Sequence, residues 1–295
     1  MDVMQNTITT TGNDTSTTIP RGHVARARQD PPRHDGHDWR VAGEAWGHAA
    51  GDWSTLFEHY AVGVVAAIGS RVGAGPGGRV LDVACGSGWA MRFLRGLGAD
   101  VAGIDAAERL LEVAAERNPD SELVHGSMFD LPWATATFDS VVSINGIWGG
   151  GDEALREARR VLRPGGTIGF SFWGTGDPLD LRPFFFSIAG HLDRDHVEGM
   201  VSINDIARPG VAEDMLDRAG FEPIERGRRI SVLEWPDEEI AWRALRSVGP
   251  IVPALRNSDP AAVRRDALAS IEHCRTPRGT YRFENVQDFV VARRP

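Results

Sequence analysis

The sequence contains no lysine; all 32 of its basic residues are arginine. We read this as a composition bias without functional content. Only two cysteines occur, Cys85 and Cys274. Two thiols cannot build a disulfide framework, and so few fit a reducing compartment. No group of Cys, His, Asp and Glu shows metal-ligand spacing, so no metal site is expected. No apolar run approaches the ~20 residues that a membrane span needs. A basic-then-apolar leader pattern is also lacking. The expectation is a cytoplasmic protein with no membrane span. Positive charge is in deficit: 41 acidic residues leave a net charge of -9. That argues against broad nucleic-acid binding. The basic run "RGRRI", Arg226 to Ile230, has no interleaved aromatics and reads as one face of a strand.

Residues 1–38 are rich in Thr, Asn, Asp, Arg, Pro and His and lack apolar periodicity. Such a segment buries too little surface to offset its ordering entropy, so disorder is expected there. From Trp39 the pattern changes. Trp46, Trp53, Phe57, Val62 and Val65 fall at helical intervals, and residues 39–77 read as helices ending at "GAGPGG". Residues 78–173 alternate short apolar runs with helical stretches, which implies a parallel sheet covered on both faces. Residues 174–295 begin with an aromatic-rich insertion. They continue through several helices to a bent strand, "FEPIERGRRISVLEW", and an alternating closing strand, "GTYRFENVQDFVVARR".

The stretch "LDVACGSGWA", Leu81 to Ala90, places an acid and several nearly side-chain-free residues where a strand hands over to a helix. Glycine there permits turn conformations that a Cβ forbids and lets backbone approach a ligand. The helix that follows presents free N–H groups at the carboxyl end of a sheet. A glycine turn alone can be a plain βα turn. A second acid, Asp105 in "VAGID", ends the next strand roughly 20 residues on, where it can accept both hydroxyls of a ribose. The pair fits a dinucleotide enzyme as well as a nucleoside-binding one.

Four segments extend this reading: "VLDVACGSGWA", "VAGIDAAERLLEVA", "HGSMFDLPWATATFDSVVSI" and "EARRVLRPGGTIGFSF". In order and spacing they resemble the successive motifs of class I S-adenosylmethionine-dependent methyltransferases, in the small-molecule branch that includes ubiquinone and menaquinone biosynthesis. The resemblance covers about residues 78–173. It implies a Rossmann-like, doubly wound α/β fold with a mostly parallel seven-stranded sheet of order 3-2-1-4-5-7-6, an antiparallel last strand and a helical lid. It also implies S-adenosyl-L-methionine as cofactor. By that resemblance Asp82 holds the methionyl amino group, and Ala84, Gly86 and Gly88 form the backbone cradle. Asp105 takes the ribose hydroxyls and Ala106 lies against the adenine. Ser127, Met128 and Phe129 border the adenine edge, and Asn145 sits beside the methionyl end. Two positions depart from the family pattern. Ala84 stands where the first glycine is usual, and Ser127 stands where an aspartate is usual, with Asp130 as an alternative for that contact.

Methyl transfer is an in-line displacement that needs alignment in a dry pocket. A base is needed only where the acceptor must lose a proton. His191 and His196, in "AGHLDRDHVEG", are the candidate catalytic residues; solvated lid histidines are the plainer alternative. His48, His125 and the His273–Cys274 pair read as packing or capping residues. Trp148, Phe185 and Trp242 are candidate acceptor contacts, and residues 177–206 a candidate lid. The reading is a methyltransferase for a small, aromatic or secondary-metabolite-like acceptor. The competing readings are a non-catalytic nucleoside-binding scaffold and an NAD(P)-dependent oxidoreductase. The sequence leaves the oligomeric state open.

Overall fold

The computed structural model describes residues 21–27 and 38–295. Most of the expected disordered segment lies outside these residues, but one part of it does not. Val24–Arg26 form a strand, β1. The other strands are β2 (Arg79–Val83), β3 (Asp100–Asp105), β4 (Glu122–His125), β5 (Phe138–Ile144), β6 (Leu162–Trp173), β7 (Glu222–Trp235) and β8 (Tyr281–Arg293). They form one sheet of order β1-β4-β3-β2-β5-β6-β8-β7. Without β1 this is the expected 3-2-1-4-5-7-6 arrangement. The strands from β1 to β6 run parallel, and β8 pairs antiparallel with both β6 and β7. The sheet thus has eight strands rather than seven. Residues Val24 to Arg26 pair with Leu123 to His125. The added strand covers the β4 edge, whose backbone groups would otherwise lack partners. It is anchored by Arg21 on Asp100 and Arg26 on Glu108.

The central strands read as near-continuous apolar runs because both sheet faces are buried; in β2, Val80, Leu81 and Val83 are all at most 1% exposed. On one face lie α3 (Val62–Arg71), α4 (Trp89–Gly96) and α5 (Glu108–Arg117). On the other lie α6 (Asp152–Val161) and α9 (Val211–Arg218). The α6 helix carries Asp152 and Glu153 in its first turn and Arg159 and Arg160 in its last, the order its dipole favours. The chain enters this body through α1 (Trp39–Gly47) and α2 (Ala50–Asp52). A π-helical turn (Trp53–Phe57) and a 3₁₀ turn (Glu58–Ala61) then lead into α3.

The remaining helices are α7 (Arg182–Ala189), α8 (Arg194–Asn204), α10 (Glu238–Arg246), α11 (Ile251–Asn257) and α12 (Pro260–Ser270). The expected lid divides into two unlike parts. Phe184 and Ile188 of α7 are fully buried, in the cluster that also holds Val263 and Ala267 of α12. So one face of α7 is core, which accounts for Phe184, whereas Phe186 is exposed. In contrast, α8 buries none of its residues. Its end touches the glycine loop after β5, where the Gly149 N–H donates to the Ile203 carbonyl at 3.1 Å.

Candidate active site

The glycine turn joins β2 to α4 at the carboxyl end of the sheet. Ala84, Gly86 and Gly88 adopt φ of 60°, 53° and 71°. Three left-handed residues in five positions reverse the chain tightly. Ala84 takes this conformation despite its Cβ, at a cost of about 1 kcal/mol. At Gly88 a Cβ would lie 2.5 Å from Asn118 Nδ2 and 2.9 Å from Ala114 Cβ, so α5 packs directly on the turn. At Gly86 the nearest atom to such a Cβ is 4.0 Å away, which leaves that backbone open.

Asp105 closes the neighbouring strand. It is half-buried, and its carboxylate accepts from the Gly86 and Ala107 N–H groups, each at 2.7 Å. Burial raises its pKa and those two N–H groups oppose the rise. A carboxylate has about four acceptor positions, so two hydroxyls can still be received. Asp82 is a different case. It is 1% exposed and neither oxygen has a hydrogen-bond partner. Burial, and then the charge of Asp105, pushes its carboxyl well above the ordinary aspartate value. A buried carboxylate without a donor is costly, and a cation placed beside it would relieve that cost.

Asn145, at the end of β5, has φ of 54°. Its side-chain amide donates to Tyr60 Oη and, at 3.1 Å, to Gln287 Oε1, and its own oxygen accepts from Ser171 Oγ. Ala84 and Gly146 meet so closely that a Cβ on Gly146 would lie 2.4 Å from that of Ala84. Asn145 therefore stands beside the turn. Tyr60 stacks on Trp173 at 5.1 Å, and Trp173 meets Phe185 at 6.4 Å. On the other side, Ala106 accepts from His125 Nε2 at 3.0 Å. A cavity of about 330 Å³ opens there, lined by Trp39, Gly43, Glu44, Ala106, Glu108 and His125 among others. Ser127 Oγ accepts from the Phe129 N–H at 3.2 Å, and Phe129 meets Trp148 edge-on at 6.3 Å. Met128 packs against the core cluster of the α6 face.

Two expected groups lie elsewhere. Trp242 is 7% exposed in the core, beneath the Arg264 guanidinium; packing of α10 against α12 and the π-helical turn explains its aromatic character. His191 Nε2 is held by Asp266 of α12 at 3.0 Å. His196 sits in the exposed first turn of α8, its Nδ1 on Asp193 at 2.7 Å, and Asp193 also caps that helix through the His196 N–H. Both histidines thus have local structural partners. Sequence reasoning missed Tyr60, Gln287 and an ion pair under the turn. Arg117 binds Glu58 and Ser87 Oγ, and donates to the Ser54 carbonyl at 2.8 Å. Burial raises the Glu58 pKa, opposed by Ser87 and Arg117. The available signal was an acid and a hydroxyl inside otherwise apolar surroundings.

Residues 81–170 match the family model described as a methyltransferase domain. Over these residues the chain is similar to methyltransferase domains. A demethylmenaquinone methyltransferase of Renibacterium salmoninarum is 38% identical over 99 residues, 33% of this chain and 42% of that protein. The chain thus spans less than half the length of the curated relatives it matches. Solved structures share the overall fold beyond this stretch. A putative sarcosine dimethylglycine methyltransferase from Galdieria sulphuraria aligns with TM-score 0.55 at 14% identity, over 85% of this chain and 98% of that one. A [4+2]-cyclase, SpnF, aligns with TM-score 0.54 at 17% identity, over 87% and 94% of the two chains. The orphaned Asp82 carboxylate, the open Gly86 backbone and the free acceptor capacity of Asp105 fit a ligand with an ammonium and a ribose diol. S-adenosylmethionine has both.

Proposed function

We propose that this protein is an S-adenosylmethionine-dependent methyltransferase acting on a small, flat, largely apolar acceptor. The observation that carries this reading is Asp82, a buried acid with no partner beside a glycine turn and a second acid. When bound, S-adenosylmethionine supplies an electrophilic methyl on sulfur. Asp82 binds its ammonium, Asp105 its ribose hydroxyls, and the Gly86 backbone admits it closely. Tyr60 is held by Asn145, and burial raises its pKa, so its phenol stays neutral. Tyr60, Trp173 and Phe185 form an aromatic wall that excludes water and receives a planar acceptor. Small-molecule methyltransferases among the relatives support the acceptor class.

A non-catalytic nucleoside-binding scaffold is the second reading. It is favoured by the placement of His191 and His196, which leaves no histidine base identified at the site. Calorimetry with S-adenosylhomocysteine and NADH tests the binding. Host extract incubated with isotopically labelled cofactor, then read by mass spectrometry, tests the transfer. Binding of S-adenosylhomocysteine with labelled product supports the methyltransferase. Binding without any labelled product favours the scaffold, and binding of NADH alone would favour an oxidoreductase.

A further inference from the structure

Far from the glycine turn in sequence, three ligating side chains converge. Asp180 lies between β6 and α7. His273 and Cys274 lie on a 3₁₀ turn (Glu272–Cys274) after α12. One ligand atom from each falls within 4.8 Å of the other two, and Cys274 Sγ stands 3.2 Å from His273 Nε2. No annular spacing motif announces this group, because the aspartate comes from a distant segment.

The geometry points to a zinc-binding site formed by Asp180, His273 and Cys274. A thiolate, an imidazole and a carboxylate are the donor set that zinc accepts, at ~2.3 Å from sulfur and ~2.0–2.2 Å from nitrogen or oxygen. Ligand atoms on a tetrahedral ion then stand ~3.3–3.6 Å apart; the Cys274–His273 pair at 3.2 Å is already close to this spacing, and Asp180, within 4.8 Å, would close onto the ion. Asp180 is already fixed. Its Oδ2 accepts from the Glu284 N–H at 2.7 Å, and its own N–H donates to the Glu284 carbonyl at 3.2 Å. Oδ1 remains available. Cys274 is buried, His273 is exposed and Asp180 lies between these extremes. The ion would therefore have an apolar floor and an open side, where water supplies the fourth ligand. Zinc would take Cys274 as the thiolate. As the sulfur–zinc bond forms, the Cys274 S–H bond breaks and its proton passes to solvent.

Such an ion would tie the segment entering α7 to the segment leaving α12, against the start of β8. These segments frame the acceptor side of the molecule, and Glu284 lies three residues along β8 from Gln287, the partner of Asn145. Zinc would thus act as a clip on the acceptor-side wall.

The test uses the full chain, equilibrated with zinc sulfate and then dialysed. Elemental analysis should give one zinc per chain, and the unfolding midpoint should rise with zinc and fall back with chelator. With cobalt(II) in place of zinc, a thiolate-to-metal charge-transfer band should appear. Cys274→Ser should lose that band. His273→Gln, at an exposed position that folding tolerates, should weaken zinc binding at least tenfold. Zinc held by histidines elsewhere in the chain would give no thiolate band. Absence of the band in the parent protein overturns the site, as does unchanged zinc uptake in both variants.

Discussion

The proposed cofactor half and the proposed acceptor half of this molecule are built from the same sheet but by different kinds of contact. In the first, Asp82, Gly86, Gly88 and Asp105 come from two adjacent βα units, which brace each other through the Gly86 N–H on Asp105. In the second, Tyr60 comes from a turn before α3, Asn145 from β5, Trp173 from β6, Phe185 from α7 and Gln287 from β8. That wall exists only after the chain has folded. On that proposal, ligand chemistry is local while acceptor choice is a property of tertiary packing.

The largest effect expected from breaking this contrast is at the ion pair under the turn. Arg117→Met would leave Glu58 buried without its partner, at a cost of about 3 kcal/mol or more. Denaturant unfolding reads this directly. A loss below ~1 kcal/mol would mean that the pair behaves as a surface salt bridge, and the turn would then be self-supporting.

Asp82 sharpens the contrast in the opposite sense, because it should harm binding while helping the empty protein. Asp82→Asn removes a charged acceptor for the ligand ammonium, which should weaken S-adenosylhomocysteine by about 2–3 kcal/mol, roughly 30–150-fold. It also removes a buried acid with no donor, so the unliganded variant should unfold later than the parent. The pH dependence follows from the raised pKa. The folded state holds the Asp82 proton more tightly than the unfolded state. Its contribution to stability is therefore full below the ordinary aspartate value and is lost as pH rises through the raised value. Ligand binding needs the carboxylate, so affinity should rise with pH over the same window, with proton release detectable by calorimetry in buffers of different ionisation enthalpy. A pH-independent affinity, equal in the variant, would remove Asp82 from the site.

The same difference between the halves governs what the sequence revealed. The parallel sheet was legible because apolar runs of strand length alternated with amphipathic helices, its strand order came from the family resemblance, and the proposed cofactor residues stood out as glycines and acids at strand ends. Three features were not legible. Val24–Arg26 carries too few apolar residues to signal a strand, and pairs because β4 offers an open edge. Phe184 to Phe186 looked like a lid lining, yet only Phe185 reaches the Trp173 side; Phe184 is core and Phe186 is exposed. Trp242 looked like an acceptor contact and is core for the same reason: helix periodicity does not say which apolar neighbour it will meet.

Asp105 and Asp139 test whether proximity to a strand end is enough. Asp105→Ala removes the diol acceptor and should cost about 2 kcal/mol of ligand affinity. Asp139 accepts from the Arg79 N–H at 2.8 Å and pairs with Arg163, a role at the opposite end of its strand. Asp139→Ala should leave the affinity for S-adenosylhomocysteine unchanged. Equal losses in the two variants would show that both act through the sheet rather than on the ligand.

The smallest effect is expected at His196, the residue whose type suggested a base and whose surroundings suggest a cap. Its ring is nearly half exposed, and its one charged partner, Asp193, is three residues away on the same helix end. The Asp193 carboxyl is held below its ordinary value, by the His196 N–H first and by the imidazole next. Because the backbone N–H survives substitution, most of the cap survives as well. His196→Gln should therefore change stability by less than about 0.5 kcal/mol and leave the turnover number and its pH profile as in the parent. A base at this position would instead make the turnover number collapse and remove the acid limb of that profile, while leaving S-adenosylhomocysteine binding intact. That outcome would require α8 to swing its first turn over the Asn145–Tyr60 contact during the reaction. It would make the acceptor half a closing structure rather than a fixed wall.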